Sequence, residues 1–415
     1  MMTEDYPPGL LTGIGRHVAE LAESLAALGI EVCVVTPGTG GEDAALGHFT
    51  VLEAEPPASL TSLGWGDGPF NLPRLVHINL AMIQRTLAMD CSRYDVIHVH
   101  DIFAAMAGFT IARVLNLPTV LTKHFCLPAP QSRQRPGDTL RYFMSLEDWS
   151  LHAADQLIAV SSHVQGTIIS RDARLQGKCA LVTSGTNIGT AGPRAGRSAS
   201  RERLAIRLGV RTPLGFVLLH VSRLVYVKGA DISLHALASL MRDTPAYDPQ
   251  LVLIGAGPAR HEQYLRELAS QLGVADRLHF GGPEHSRDTL ADLYRAADAV
   301  VVPSRSEPFN LVVAEATTLR SLVLAADVGG IAEQIVHMRN GLLFRHGHGP
   351  AASGRAVAEL VKWAVTNPVA AARIAEFGPL HGESTYSWSK AANEIVTLYR
   401  DVTHKVGRNL CIGDS

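Results

Sequence analysis

The stretch Ala297-Asp298-Ala299-Val300-Val301-Val302-Pro303 constrains this chain most. Consecutive β-branched residues without polar alternation read as a strand buried on both faces, as in a parallel sheet, and Pro303, which lacks an N–H, ends it. The loop Ser304-Arg305-Ser306-Glu307-Pro308-Phe309-Asn310 follows, and the apolar run from Leu311 towards Leu319 is expected to be a helix. In an open α/β sheet, ligands bind beyond the carboxyl ends of the strands. Glu307 is therefore placed on the rim loop and Glu315 inside the helix, both facing one crevice. An ionised carboxylate only accepts hydrogen bonds and can hold two hydroxyls at once, which suits a polyhydroxylated ligand.

The same succession of strand, polar turn and helix recurs along the chain. Near the N-terminus Thr12-Gly13-Ile14-Gly15 opens a helix in which Val18, Leu21, Leu25 and Leu28 recur at helical spacing. Glycines at that point allow a tight turn and bring backbone N–H groups toward an anion or a substrate. A strand should precede such a loop, and here it is either very short, at Met2 to Glu4, or begins upstream of this sequence. Further strands are expected at 30–35, 49–52, 94–100, 119–123, 156–160 and 179–182. Strand ends carry His98 and His100 beside Asp101, and His124 after Lys123. At such ends an imidazole either hydrogen-bonds or shuttles a proton, or merely caps and packs. His98 and His100 face the same side of a strand, but no third ligand accompanies them, so no metal site is expected.

The segments 36–75 and 126–141 are rich in small and turn-forming residues; the first reads either as an acceptor-binding or lid region or as a surface insertion, and the second as a loop. From Ser184 to Ser200 such residues displace every periodic pattern, which marks a domain boundary near residue 185. A second series then begins. A strand at 216–221 leads to a loop flanked by Arg223 and Lys228, both positioned to reach a diphosphate, the first as a fork of donors and the second as a point charge. The strand at 251–254 ends in Gly255-Ala256-Gly257, but Arg260 occupies the third glycine position of a dinucleotide fingerprint. These glycines either let the backbone approach a nucleotide base or ribose, or make the turn. Asp327-Val328-Gly329-Gly330 is another glycine loop entering a helix, and Tyr386 to Arg400 forms a last one.

Composition narrows the class. Acids (39) and bases (37) nearly cancel, giving a formal charge of -2, which argues against a nucleic-acid groove. The five cysteines are odd in number and form no CxxC pair, as expected of free thiols in a reducing compartment. No apolar run approaches the roughly 18 residues of a membrane span, and the first residues lack the features of a signal peptide. A cytoplasmic protein is expected, a monomer or a homodimer.

Taken in order, TGIGRHV, YDVIHVHD, LTKH, VSRLVYVKG, LVLIGAGP, ADAVVVPSRSEPFNLVVAEA, DVGGIAE and YSWSKAANEIVTLYR resemble the retaining glycosyltransferases of the GT-B group that includes glycogen synthase and sucrose synthase, family four. The resemblance runs from Tyr6 to about Val402. It implies an α/β fold of two Rossmann-like domains facing a central crevice: an acceptor-side domain 1–185, a nucleotide-sugar domain 186–380, and a C-terminal helix and tail, 381–415, crossing back to the first. It implies that Glu307 contacts the donor sugar, Glu315 holds the ribose hydroxyls, and Arg223 and Lys228 neutralise the diphosphate. Gly257 belongs to the same nucleotide side, and the N–H groups of Phe309, Asn310 and Leu311 would line the donor pocket. Gly13 would let its loop close on the phosphates, and His124 would sit by the transferred sugar.

The implied catalytic set is thus His124, Arg223, Lys228 and Glu307, with no metal and no cofactor beyond the donor. UDP-glucose or UDP-N-acetylglucosamine is the favoured donor, with GDP-sugars open, and the acceptor is expected to be a soluble small molecule or an oligosaccharide. Rival readings are a sugar-nucleotide epimerase or phosphorolytic enzyme on the same fold, and a non-catalytic nucleotide-sugar-binding regulator. Three positions depart from the family pattern: Thr12 replaces a glycine, Asn310 replaces the glycine after Phe309, and Arg320-Ser321-Leu322 replaces glycine-x-proline. The last turn is expected to lose its common shape.

Overall fold

A computed structural model describes residues 1–7, 12–38, 44–46, 49–55, 71–127, 137–188, 196–210 and 214–407. The greater part of the expected loop 36–75, most of the loop 126–141, the centre of the linker after Ser184, and Cys411 lie outside the described residues. The chain forms two compact units, one of Met1–Gly185 with Trp388–Ser415 and the other of Thr186–Ser387.

The first unit holds β1 (Val32–Pro37), β2 (Ala44–Leu46), β3 (Phe49–Ala54), β4 (Ile97–His100), β5 (Thr119–Lys123), β6 (Gln156–Ala159) and β7 (Cys179–Leu181). Its strands lie in the orders β1-β3-β2 and β4-β5-β6-β7, all parallel except β2 against β3. The short first strand contracts to a bridge at Met2, which pairs in parallel with both Val35 of β1 and Val99 of β4 and so joins the two sets. Counting Met2 as the first strand, the sequence β3-β1-Met2-β4-β5-β6 is the 3-2-1-4-5-6 order of a doubly wound sheet.

Thr12 caps the helix Gly13–Ala26 by accepting from the Ile14 N–H at 3.2 Å. That helix buries Val18, Leu21 and Leu25 in one cluster with Trp388, Ala391, Ile395 and Tyr399 of the helix Trp388–Lys405. Burying each large side chain there contributes about 1.5–3 kcal/mol. The four described cysteines are free thiols.

The second unit holds β8 (Val217–Val221), β9 (Gln250–Ile254), β10 (Leu278–Gly282), β11 (Ala299–Val302), β12 (Val323–Ala326) and β13 (Leu342–Phe344). All pairings are parallel and the order is β10-β9-β8-β11-β12-β13, again 3-2-1-4-5-6. Alternation explains the unbroken apolar runs. Leu218, Leu251, Leu253, Val301 and Leu324 face one cluster, while Val217, Leu219, Val252, Val300 and Val323 face another. A strand covered on both faces places nearly all of its positions in an apolar layer, and the buried His220 of β8 is accommodated by hydrogen bonds with Ser233 and Ser222.

Two long helices, Gly349–Thr366 and Pro368–Thr385, were not expected from the sequence. Alanines dilute the apolar stripe of the first, which buries Val357, Ala358, Val361 and Ala364, and the second carries Pro379 inside it. Among the described residues no helix is long and apolar enough to cross a membrane.

Candidate active site

In the second unit the strand order reverses between β8 and β11, the place where doubly wound sheets bind ligands. The loop after β8 carries Arg223 and Lys228; the loop after β11 carries Glu307, Phe309 and Asn310. The two loops meet where Lys228 Nζ lies 2.6 Å from Glu307 Oε2. They are held together by Arg305, whose backbone N–H donates to the Val227 carbonyl at 2.8 Å. Its guanidinium donates to the Tyr226 carbonyl and, through two nitrogens, to both carboxylate oxygens of the buried Asp231, at 3.0 and 2.7 Å. The same guanidinium stacks 3.9 Å over the Tyr226 ring. Sequence reading had assigned Arg305 and Asp231 no role, since their pairing is visible only once the loops are folded.

Asn310 is buried and fully engaged. Its Oδ1 accepts from the Val313 N–H at 3.0 Å, capping the helix Leu311–Thr318, and its Nδ2 donates to Glu307 Oε2 at 3.1 Å. Its backbone is clamped by Gln334, which accepts from the Asn310 N–H and donates to its carbonyl, each at 3.0 Å. The Asn310 N–H, expected to line a donor pocket, donates to Gln334 Oε1 in this structure. Gln334 was missed because it sits 24 positions along the chain in a four-residue helix that shows no periodicity.

The glycine loop after β12 presses on the same segment. The Gly330 N–H donates to the Glu307 carbonyl at 2.8 Å, and a Cβ at Gly330 would fall 1.9 Å from the Pro308 carbonyl oxygen. Phe309 is half-buried and packs edge-on to Tyr386. Leu311, half-buried, is the first helical residue.

Arg223 is exposed and ion-pairs with no described residue. Gly257 serves close approach within the unit, a Cβ there falling 1.9 Å from the Leu224 carbonyl oxygen, and its N–H donates to Glu262 Oε1 at 3.0 Å. Glu315 is 1% exposed and accepts from the Tyr294 hydroxyl at 2.7 Å. The structure thus joins Lys228, Glu307 and Asn310 directly, and places Glu315 against Tyr294.

Arg320, φ 60°, sits in the left-handed region just past the helix Leu311–Thr318. The Arg320 and Ser321 N–H groups return to the Thr317 and Ala316 carbonyls at 3.1 and 2.9 Å, which is a Schellman ending. The turn was expected to change shape without its glycine; it instead keeps a glycine-type conformation with an arginine in it.

In the first unit Gly13 is exposed at the start of its helix. His124 lies one residue past β5, and its N–H donates to Asp101 Oδ2 at 3.1 Å. Beneath it Lys123 is wholly buried between Asp101 and Glu147, the latter 3.0 Å away, and Glu147 also pairs with Arg171. Burial opposes the Lys123 charge, but Asp101 and Glu147 more than offset it and hold its pKa above the ordinary lysine value. Burial pushes Asp101 up to about 6 against the pull of Lys123. Burial, and then the Lys123 charge, lower His124 to about 3. The pair His98 and His100 does have company. Their rings stack with centroids 4.3 Å apart, and His17 and His124 complete a group of three ligand-type residues with His100. His17 was missed because it precedes Val18 on the apolar face of its helix and reads there as packing.

Comparison with known proteins decides the family. The C-terminal half, residues 213–379, matches the model of glycosyl transferases group 1, and residues 11–187 match that of glycosyltransferase family 4. The chain is 30% identical over 398 residues to D-inositol 3-phosphate glycosyltransferase of Streptomyces avermitilis, covering 93% of this chain and 82% of that one. The chain belongs to the family-4 glycosyltransferases of GT-B architecture. It is an enzyme that moves a hexose from a nucleotide-sugar donor to an acceptor.

Solved folds agree. The sucrose-phosphate synthase of Thermosynechococcus elongatus superposes with a TM-score of 0.78 at 21% identity, covering 97% of this chain and 98% of that one. Anabaena HepE in complex with UDP-glucose gives 0.74 at 22% identity, covering 96% and 97%. In this family-4 enzyme the contact of Lys228 with Glu307 falls at the switch point of the second sheet, and the departure at Asn310 falls on that contact.

Proposed function

We propose that this enzyme transfers a hexose from a uridine diphosphate sugar to a hydroxyl of a soluble small molecule, with retention of the α configuration. The observation that carries the reading is the Lys228–Glu307 contact at the β8/β11 switch point, with the exposed Arg223, which ion-pairs with no described residue, on the same loop. As the bond from the sugar to the diphosphate breaks, charge accumulates on the departing phosphate. Arg223 and Lys228 stabilise that charge more in the transition state than in the bound donor. Glu307 holds the sugar near the transferred carbon, Glu315 binds the ribose hydroxyls, and Phe309 and Leu311 offer N–H groups to the donor. Gly257 keeps the neighbouring turn thin enough to lie on the cation-bearing loop. The acceptor attacks from the face the diphosphate leaves, and its proton passes to the departing phosphate oxygen.

The second unit is read as the donor side and the first as the acceptor side, where Gly13 and His124 keep the roles toward phosphate and sugar that the family resemblance gives them. The UDP-glucose bound to HepE supports the choice of donor, and the name of the Streptomyces relative supports a phosphorylated polyol as the first acceptor class to try. Turnover across UDP-, GDP-, ADP- and dTDP-sugars, with the product anomer assigned by NMR, tests the reading. An α-linked product from a UDP-sugar is expected. A β-linked product, or turnover with none of the four, overturns it.

A further inference from the structure

Buried imidazoles in a folded protein usually have both nitrogens hydrogen-bonded. His98 follows this rule, with Nδ1 2.6 Å from the Tyr399 hydroxyl and Nε2 2.7 Å from Thr122 Oγ1. Its neighbours do not. Among the described residues, His17 Nε2 and His100 Nε2 are buried with no hydrogen-bond partner, an arrangement that folded proteins avoid because it costs stability. One ring nitrogen from each of His17, His100 and His124 lies within 4.8 Å of the other two. His100 Nδ1 and His124 Nε2 are hydrogen-bonded at 3.1 Å, so a metal ion ligated by these two nitrogens takes the place of the shared proton. Two nitrogens on one tetrahedral zinc, each about 2.0–2.1 Å from the metal, stand about 3.3–3.4 Å apart.

We propose that His17, His100 and His124 form a binding site for a borderline transition-metal ion such as Zn²⁺, with three nitrogen ligands and an open fourth position. The site has the further parts that such a centre uses. His17 Nδ1 lies 2.8 Å from Ser184 Oγ, and by donating there it leaves the Nε2 lone pair directed at the metal. The Trp388 ring system packs edge-to-face with His17, with ring centroids 4.9 Å apart, and limits its rotation. Burial, and then the neighbouring histidines, hold His17 and His100 well below the ordinary imidazole value, so both are in the neutral form that ligates. Imidazole donors suit zinc, cobalt, nickel and copper rather than calcium or magnesium. The carboxylate nearest in the fold, Asp101, is already committed to Lys123 and to the His124 N–H.

The binding claim does not depend on the transferase reading. One consequence does: His124 is also the histidine read as facing the sugar, so zinc at this site lowers turnover.

The test is metal binding by the full chain in the absence of any sugar. Titration with Co²⁺ is expected to give visible d–d bands that saturate at one equivalent and disappear on adding Zn²⁺. His17→Gln and His100→Gln, each checked for folding by circular dichroism, are expected to weaken zinc binding about 100-fold, whereas His98→Gln retains it. X-ray absorption of the wild-type zinc form, which needs no variant, is expected to show at least three nitrogen or oxygen neighbours at about 2.0–2.1 Å with imidazole scattering. Fewer than three imidazoles at the zinc, no saturable Co²⁺ site, or unchanged affinity in folded His17→Gln and His100→Gln overturns the proposal.

Discussion

Asn310 Nδ2 and Lys228 Nζ share one acceptor, Glu307 Oε2, at 3.1 and 2.6 Å. The side chain that departs from the family's glycine therefore does not merely fill space. It adds a second donor to the carboxylate proposed to hold the sugar, and it caps the next helix with its other atom. Replacing it by alanine removes both bonds. Asn310→Ala is expected to cost about 1–2 kcal/mol of stability, and to lower kcat more than it raises the donor KM, since Glu307 loses an orienting partner. Thermal melts and donor kinetics on the same preparation check both parts.

Gly330 fixes how closely the loop after β12 can approach Glu307. A methyl group there meets the Pro308 carbonyl oxygen, which is backbone and cannot swing away. Gly330→Ala is expected to cost about 1–3 kcal/mol through overpacking and to reduce turnover by an order of magnitude or more, because the displaced segment carries Glu307. Retained turnover in a destabilised variant would separate the packing role from the positioning one.

Arg320 occupies the position after the helix Leu311–Thr318 at which glycine is usual, with φ 60°. Left-handed backbone costs an L-residue about 1–2 kcal/mol, part of which glycine gives back as chain entropy. Arg320→Gly is expected to raise stability by about 0.5–1 kcal/mol with unchanged kinetics, read from chemical denaturation. A loss of stability would mean that the arginine side chain contributes more than its backbone strain removes.

Lys123 neutralises two buried carboxylates, Asp101 and Glu147, and has no contact with water. Lys123→Met leaves them with Arg171 as the remaining cation of the group, and only on Glu147. A loss of about 3–5 kcal/mol is expected, measured as a lower urea midpoint. A loss below about 1 kcal/mol would show that the network is dispensable for the fold.

How much of this was legible beforehand depends on whether the signal is local. The valine run at β11, the proline behind it and the glycine loops report directly on strands and turns, because each residue's constraint acts on its own backbone. Those signals placed Glu307, Arg223 and Lys228 on loops at the carboxyl ends of β11 and β8. What eluded the sequence is pairing across distance. Gln334 clamps Asn310, Arg305 ties its loop to Asp231, and His17 reaches His100 from a helix of the same unit. Nothing in the neighbours of these residues along the chain names their partners. The very short first strand was legible as a possibility at Met2 to Glu4, but only the sheet shows that Met2 bridges both Val35 and Val99 there.

The measurement that bears most directly on the account is calorimetric titration of nucleoside diphosphates into the wild-type enzyme and into Arg223→Ala and Lys228→Ala. Hydrogen bonds to charged groups contribute about 1.5–3 kcal/mol, so each variant is expected to bind UDP about 10- to 100-fold more weakly, with its thermal melt little changed. Equal affinity in wild type and both variants would contradict the assignment of the donor diphosphate to the β8/β11 switch point.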